Sequence, residues 1–187
     1  MRDARLEIRI GGTGGQGLIL CAKMLADALC AKGRRVAQSQ TYEPTSRGGY
    51  CNSDLVISDR EVDFPLATAL DCLVLLDRMA VKPSWPLLKP DALVIADTRL
   101  CSELPAGKYR AHHLPLSRTA IELGSERVAN IVALGALAVL SGVCERKALE
   151  QAVRAETPKS FLDLNLDALA AGFRLGEQTS SNAAATH

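Results

Sequence analysis

The chain has 187 residues, a length that predicts a single domain with room for a sizeable hydrophobic core. Its 22 basic and 21 acidic residues are interspersed and leave a net charge of +1, so the charge pattern indicates neither nucleic acid nor an anionic membrane as a partner. The first nine residues contain several charges and do not fit a signal peptide. Polar and small residues interrupt the longest apolar run, residues 128–143, so we expect no membrane span and a cytoplasmic location.

A strand is predicted over residues 6–10, where apolar and charged residues alternate, and a glycine-rich loop follows at once. The loop fits the G-x-G-x-x-G spacing and leads into an amphipathic helix that begins near Leu18. Glycines let the backbone approach a ligand closely, and the unpaired N–H groups of a helix N-terminus attract phosphate. The alternative is a tight turn whose glycines only permit close packing. We predict a phosphate-binding loop made of Gly12, Thr13, Gly14, Gly15, Gln16 and Gly17.

A second polar loop follows the next predicted strand, residues 36–41. Loops at the carboxyl ends of strands in a doubly wound sheet meet in one crevice, so we expect this loop beside the glycine loop. Arg47 offers a permanent charge and a planar fork that suits phosphate, and Tyr42 could stack on a base. The alternative is an ordinary polar turn with a solvated arginine. The contacts predicted from this loop are Thr41, Tyr42, Ser46 and Arg47.

The carboxyl end of this second strand indicates which kind of nucleotide the crevice could take. A dinucleotide site expects an acidic residue there, about 20 residues after the glycine loop, to hold a ribose hydroxyl. Residues 38–42 contain no acid, and Glu43 comes late and precedes Pro44. The sequence therefore argues against a standard nicotinamide site.

The rest of the chain alternates between strands and helices and then becomes helical. Further strands are predicted at residues 50–58, 72–76, 92–96 and 109–114. Helices are predicted at residues 81–88, 129–140 and 144–154. This order predicts an α/β fold: a Rossmann-like layered domain with a mostly parallel or mixed sheet and a helical C-terminal third. We assign residues 1–176 to one domain and residues 177–187 to a flexible tail.

Capping signals place two more helices. Thr119 and Glu122 fit a capping box for a brief helix that ends at Gly124. Thr157 as N-cap, with Pro158 at the first helical position, fits the start of a last helix that runs to about residue 173.

Candidate catalytic and metal-binding groups are sparse in this sequence. The six cysteines are widely spaced and form no C-x-x-C pair, which argues against a zinc site or an iron–sulfur cluster in this chain and predicts mostly buried, reduced thiols. His112 and His113 are adjacent and face opposite sides of a strand, so we predict no metal site. Asp77 and Asp97 follow buried strands, where we expect them to cap the next segment. These residues favour ligand binding over bond-making chemistry.

Four motifs in fixed order together resemble one protein family. They are the glycine loop, the Thr-Tyr-Glu-Pro loop with its Arg-Gly-Gly end, the Cys-Asn-Ser-Asp strand, and the Arg-Val-Ala-Asn-Ile-Val-Ala-Leu-Gly segment at residues 127–135. This series resembles the gamma subunit of 2-oxoacid:ferredoxin oxidoreductases over about residues 8–174. Many relatives carry Gly-Pro-Glu where this chain has Glu43-Pro44-Thr45, so the role of Glu43 stays open.

The resemblance implies a role in the oxidative decarboxylation of a 2-oxoacid to an acyl-coenzyme A, with electrons passed to ferredoxin. In relatives, the alpha and beta subunits carry thiamine diphosphate with Mg²⁺, and iron–sulfur clusters in the partner subunits, among them a ferredoxin-like delta subunit, transfer the electrons. The gamma subunit contributes to the coenzyme A site. The implied role of this chain is to position coenzyme A, and no catalytic residue is assigned to it.

Two further expectations concern the helix at residues 129–140. Asn130 stands at its start, where it could contact the ligand or act as the N-cap. The helix is apolar nearly all the way round, which predicts burial by alpha and beta subunits, and a homodimer when the chain is alone. Two other functions stay open: a free-standing domain that binds NAD or FAD, and a structural subunit whose glycine loop contacts a neighbour's backbone.

Overall fold

Six strands form one mixed sheet within the residues that the computed structural model describes, 5–43, 48–62 and 64–185. In chain order they are β1 (Leu6–Thr13), β2 (Arg35–Tyr42), β3 (Tyr50–Ser58), β4 (Leu70–Leu75), β5 (Leu88–Asp97) and β6 (Tyr109–Leu114). Across the sheet they lie in the order β2-β3-β1-β4-β5-β6. β3 is antiparallel to both neighbours, whereas β1, β4, β5 and β6 are parallel. The predicted α/β fold is confirmed, with a mixed sheet.

A helical layer covers one face of this sheet. It consists of α1 (Leu18–Cys30), α3 (Leu116–Glu122), α4 (Ala129–Ser141), α5 (Arg146–Glu156) and α6 (Leu162–Ala185). Side chains alternate between the two faces of a strand, so every second residue of a strand points into this layer. The larger hydrophobic core lies between sheet and helices and includes Ile8, Ile10, Val74 and Ile95, each almost fully buried. The helical C-terminal third is confirmed.

The other face of the sheet carries a smaller core. Leu73, Leu75 and Val94 point to this side and pack with Val81 and Trp85 from the short segment that holds α2 (Val81–Ser84). Four of the six cysteines are buried in the two cores or beside them, as predicted. Burial raises the pKa of two of these thiols to about 11, so they stay protonated at neutral pH: Cys72 and Cys101.

Charged residues of β1 and β3 form a buried polar layer on the same face. Arg9 and Asp54 are directly opposite in the strand register, and two guanidinium nitrogens donate to the two carboxylate oxygens at 2.7 Å each. The Asn52 side-chain amide also donates to Asp54. Burial by itself would lower the pKa of Arg9, but the bonds to Asp54 raise it, so the guanidinium stays charged. Removing either partner would leave a buried charge unpaired, so this pair fixes the register of β1 and β3.

Helix α4 is buried by its own chain. Residues 129–138 are all buried, and α6 packs along them. A Cβ atom at Gly135 would lie 2.5 Å from the Leu169 carbonyl oxygen, and a Cβ at Gly172 would lie 2.1 Å from that of Val132. The two backbones approach so closely because both positions are glycine. The burial of this helix therefore gives no evidence for partner subunits, contrary to our expectation from its apolar composition.

The cap of α3 comes from a residue that is distant in sequence. The predicted capping box of Thr119 and Glu122 is wrong, because both residues lie inside the helix. Instead, the Asp97 carboxylate at the end of β5 accepts from the Ser117 backbone N–H at 2.6 Å and from its hydroxyl at 2.9 Å. Gly124 ends the segment with φ +106°, as predicted.

The predicted helix over residues 81–88 is shorter and less regular. Only α2 is α-helical, and 3₁₀ turns at Arg78–Ala80 and Trp85–Leu87 flank it. Pro83 and Pro86 cause this interruption, since proline lacks the N–H group that a continuous helix needs.

The last helix also begins and ends differently from the prediction. Thr157 is not an N-cap: its buried hydroxyl has no hydrogen-bond partner among the described residues, and a 3₁₀ turn at Lys159–Phe161 precedes α6. α6 continues to Ala185 instead of ending near residue 173. The division into a domain of residues 1–176 and a flexible tail stays a prediction. Among the described residues, every helix is too short or too polar to span a lipid bilayer.

We predict that Gly172→Ala lowers the free energy of unfolding by about 1–3 kcal/mol, because the new methyl group meets backbone that cannot move aside. Gly14→Ala is the control, since a Cβ at Gly14 would meet nothing closer than 3.9 Å and its φ is not positive. Urea denaturation measures both variants. Equal stability of the two would contradict the close approach of α4 and α6 at Gly172.

Candidate functional site

Both predicted loops lie at one edge of the sheet, beyond the carboxyl ends of β1 and β2. The glycine loop follows β1, and the second loop joins β2 to β3. A hydrogen bond of 2.9 Å from the Gly14 N–H to the Gly49 carbonyl links the two loops. The prediction that they lie side by side is confirmed. Because β3 lies between β1 and β2, the second loop closes a hairpin instead of leading to a parallel strand.

The base of the second loop is closed by Glu43. Its backbone N–H donates to the Tyr50 carbonyl at 2.9 Å, and its carboxylate accepts from the Tyr50 N–H at 3.4 Å. These bonds give Glu43 a structural role at the hairpin end. Thr41 and Tyr42 end β2 with exposed side chains beside this base. The other two predicted contacts, Ser46 and Arg47, lie outside the described residues.

The side chain of Gln16 braces the glycine loop from within. Its Oε1 accepts from the Thr13 backbone N–H at 2.8 Å, and its Nε2 donates to the Leu76 carbonyl at 3.2 Å. A Cβ atom at Gly12 would lie 2.1 Å from Gln16 Oε1, so the brace requires glycine at that position. The polar atoms of Gln16 are therefore occupied inside the loop, and the Thr13 N–H with them.

Asn130 anchors the far end of the same loop. Its Nδ2 donates to the Gly17 carbonyl at 3.1 Å, and its Oδ1 accepts from the Ile131 N–H at 2.9 Å. A Cβ at Gly17 would lie 2.7 Å from Nδ2, so this contact too depends on glycine. Asn130 is buried inside the first turn of α4 and is not its N-cap. The side chain joins the glycine loop to α4.

Three backbone N–H groups of the loop are left without an acceptor among the described residues. They belong to Gly15, Gly17 and Leu18, at the start of α1. Gly15 and Gly17 have positive φ angles of +95° and +69° and are exposed, and α1 has no side-chain cap. Exposed donors at a helix N-terminus, with the positive end of the helix dipole behind them, form an anion-binding arrangement. The geometry is that expected of a phosphate-binding loop.

Two cavities flank this loop. One, of about 370 Å³, lies between the ends of β1 and β4 and is lined by Gln16 and Asp77 among others. The second, of about 470 Å³, has a more apolar lining that includes Leu20 and Phe161. Both are large enough for part of a nucleotide-sized ligand. Three residues line both cavities: Gly15, Arg127 and Asn130.

Arg127 lines the same crevice, and the sequence patterns assigned it no role of its own. The signal that could have found it is its position: a basic residue three places before Asn130, directly before a buried helix.

The two aspartates at strand ends act as caps, as predicted. Asp77 accepts from the Met79 N–H at 2.9 Å. Asp97 is fully buried and, besides capping α3, accepts from the N–H groups of Arg99 and Leu100 at 3.0 and 2.8 Å. Backbone donors hold both oxygens of Asp97, whereas a single oxygen of Asp77 accepts a hydrogen bond among the described residues. Among the described residues, no group of three or more histidine, cysteine or carboxylate side chains could hold a metal ion.

Comparison with known proteins agrees with this architecture. Residues 7–175 match the family described as pyruvate ferredoxin/flavodoxin oxidoreductase. The chain belongs to this family. The resemblance to its gamma subunits, which rested on four motifs, is confirmed, and nothing supports a free-standing NAD- or FAD-binding domain.

Individual relatives in the family cover nearly the whole chain. The 2-oxoglutarate synthase subunit KorC of Archaeoglobus fulgidus is 33% identical over 97% of this chain and 94% of its own length. The crystal structure of the keto/oxoacid ferredoxin oxidoreductase gamma subunit from Geobacter sulfurreducens is 39% identical, with a TM-score of 0.85 over 94% of this chain and 98% of that one. The 2-oxoglutarate:ferredoxin oxidoreductase of Magnetococcus marinus, solved with 2-oxoglutarate, coenzyme A and succinyl-CoA bound, is 26% identical, with a TM-score of 0.82 over 93% of this chain and 31% of that one.

We predict that Asn130→Asp lowers the free energy of unfolding by about 1–3 kcal/mol at neutral pH, because a carboxylate oxygen then faces the Gly17 carbonyl instead of a donor. Protonation would restore a donor, so the difference from the original chain shrinks as the pH falls. Asn165→Asp is the matched control, since Asn165 also donates to a carbonyl but is only half-buried. Urea denaturation at several pH values measures this. Equal losses for both variants would contradict the anchoring role of Asn130.

Proposed function

We propose that this chain is the gamma subunit of a multi-subunit 2-oxoacid:ferredoxin oxidoreductase and that the crevice at its glycine loop binds coenzyme A. The family, the similarity to KorC and the match to a gamma subunit support the first part. The second part is supported by the Magnetococcus relative, which was solved with coenzyme A bound. The partners in this proposal are alpha and beta subunits, a ferredoxin-like delta subunit, and ferredoxin as electron acceptor.

The single observation that carries the coenzyme A proposal is the set of free backbone donors. The N–H groups of Gly15, Gly17 and Leu18 are unbonded among the described residues, at the positive end of the α1 dipole, and Gly15 and Gly17 are also exposed. Coenzyme A is a polyanion, so its phosphates match these donors in charge and hydrogen bonding. From the neighbouring loop we propose further contacts by Thr41, Tyr42, Ser46 and Arg47.

The contribution of this chain to the reaction is then positioning. Among the described residues, Asp77 and Asp97 cap the segments that follow their strands and the buried thiols stay protonated, so we assign no catalytic residue to this chain. When bound in the partner subunits, thiamine diphosphate with Mg²⁺ supplies the decarboxylation chemistry, and iron–sulfur clusters supply the electron path. By holding the phosphates at the sheet edge, the chain leaves the thiol arm free to extend to a partner subunit.

The 2-oxoacid that we propose is 2-oxoglutarate. Both the KorC relative and the Magnetococcus relative are named for it. The proposed location is the cytoplasm. In the absence of its partners we expect the chain to form a homodimer.

Substitution of Gly15 tests the coenzyme A proposal. A Cβ at Gly15 meets nothing within 4 Å, but its φ of +95° strains any side chain, so the control variant must carry a comparable backbone strain. We predict that Gly15→Asp in the assembled complex raises the KM for coenzyme A about tenfold or more, because it blocks the donors and repels phosphate. The KM for the 2-oxoacid, the thiamine diphosphate content and the iron content stay unchanged.

Gly33→Asp is the matched control for this experiment. Gly33 also has a positive φ, +81°, and open space around it, but it lies in the turn between α1 and β2 at the opposite edge of the sheet. Steady-state titration with coenzyme A measures the KM for coenzyme A of both variant complexes. If the two variants keep the same KM for coenzyme A, the glycine loop has only a structural role.

A further inference from the structure

Arg127 occupies a fixed position directly before α4. It lies in a 3₁₀ turn, Glu126–Val128, whose start is capped by Ser125: the Ser125 hydroxyl accepts from the Arg127 N–H at 3.4 Å. An ion pair between Glu126 and Arg99 ties the same turn to the end of β5. The backbone at Arg127 is therefore held from both sides, while its side chain is exposed.

The guanidinium of Arg127 has no acceptor among the described residues, although it borders both cavities beside the glycine loop. In the described lining of these two cavities, it is the one basic side chain. Of the two carboxylates that line the smaller cavity, Glu126 pairs with Arg99 and Asp77 accepts from the Met79 N–H, and neither pairs with Arg127 among the described residues. A free cation thus stands at the boundary between the two cavities, next to Gly15.

We propose that Arg127 binds a phosphate group of coenzyme A opposite the free N–H donors of Gly15 and Gly17. This inference rests on the proposed function and adds a residue to it. The planar guanidinium can donate two parallel hydrogen bonds to one phosphate and adds a full positive charge, which backbone N–H groups lack. Coenzyme A carries phosphate in two places, a diphosphate and a 3′-phosphate. Arg127 suits either of these groups, and the experiment separates them.

The test is calorimetric titration of the assembled complex with coenzyme A and with 3′-dephospho-coenzyme A, in the absence of a 2-oxoacid. Arg127→Gln should weaken the binding of coenzyme A by about 10- to 100-fold, as expected for the loss of charge-assisted hydrogen bonds. Arg127→Lys should lose less, because it keeps the charge but not the fork. Equal weakening of both ligands assigns Arg127 to the diphosphate, and weakening of coenzyme A alone assigns it to the 3′-phosphate.

Arg118→Gln is the matched control. Arg118 is an exposed arginine on α3 whose guanidinium pairs with Glu122 at 3.0 Å and borders neither cavity, so this variant removes the same charge near the same edge. It should bind both ligands as the original complex does. The proposal is overturned if Arg127→Gln binds coenzyme A as tightly as Arg118→Gln. If Arg127→Gln binds normally but Gly15→Asp binds coenzyme A weakly, the coenzyme A site is kept without Arg127. If both variants bind coenzyme A normally, the proposed coenzyme A site and the proposed role of Arg127 both fail.

Discussion

The conformation of the glycine loop depends on two side-chain amides from different parts of the chain. Gln16 holds the loop from below through Thr13 and Leu76, and Asn130 holds its far end through the Gly17 carbonyl. A segment with five glycines in seven residues has many accessible conformations, and these bonds select one. In that conformation the N–H groups of Gly15, Gly17 and Leu18 remain unbonded among the described residues, and Gly15 and Gly17 are exposed. The fold thus orders the donors before a ligand arrives, which lowers the entropy lost on binding.

The hairpin of β2 and β3 gives this loop its second neighbour. The paired charges of Arg9 and Asp54 fix the register of β3 on β1, and that register brings Gly49 within reach of the Gly14 N–H. An antiparallel strand between β1 and β2 is uncommon in a doubly wound sheet, yet both loops still end at one edge. The polar layer on the far face therefore supports the site indirectly, through strand alignment.

Local sequence patterns predicted the strands, the helices and the glycine loop. The features that were not predicted depend on contacts between residues that are distant in sequence. Alternation and glycine spacing identified β1, β3 and the start of α1 because these signals lie within a few residues. The α3 cap, in contrast, joins Asp97 to Ser117, and Asn130 reaches back to Gly17. Burial of α4 was ascribed to partners since nothing local shows that glycines let α6 approach it. Arg127 was passed over for the same reason: its value depends on the cavities around it.

In the proposed function, the unbonded N–H groups of the glycine loop bind the phosphates of coenzyme A. Hydrogen exchange of the assembled complex, followed by mass spectrometry with and without coenzyme A, tests it most directly. If these N–H groups bind phosphate, exchange at residues 15–18 becomes slower when coenzyme A is bound, with no comparable change in the turn around Gly33 at the opposite edge. Unaltered exchange at residues 15–18 in saturating coenzyme A would show that the glycine loop does not bind it.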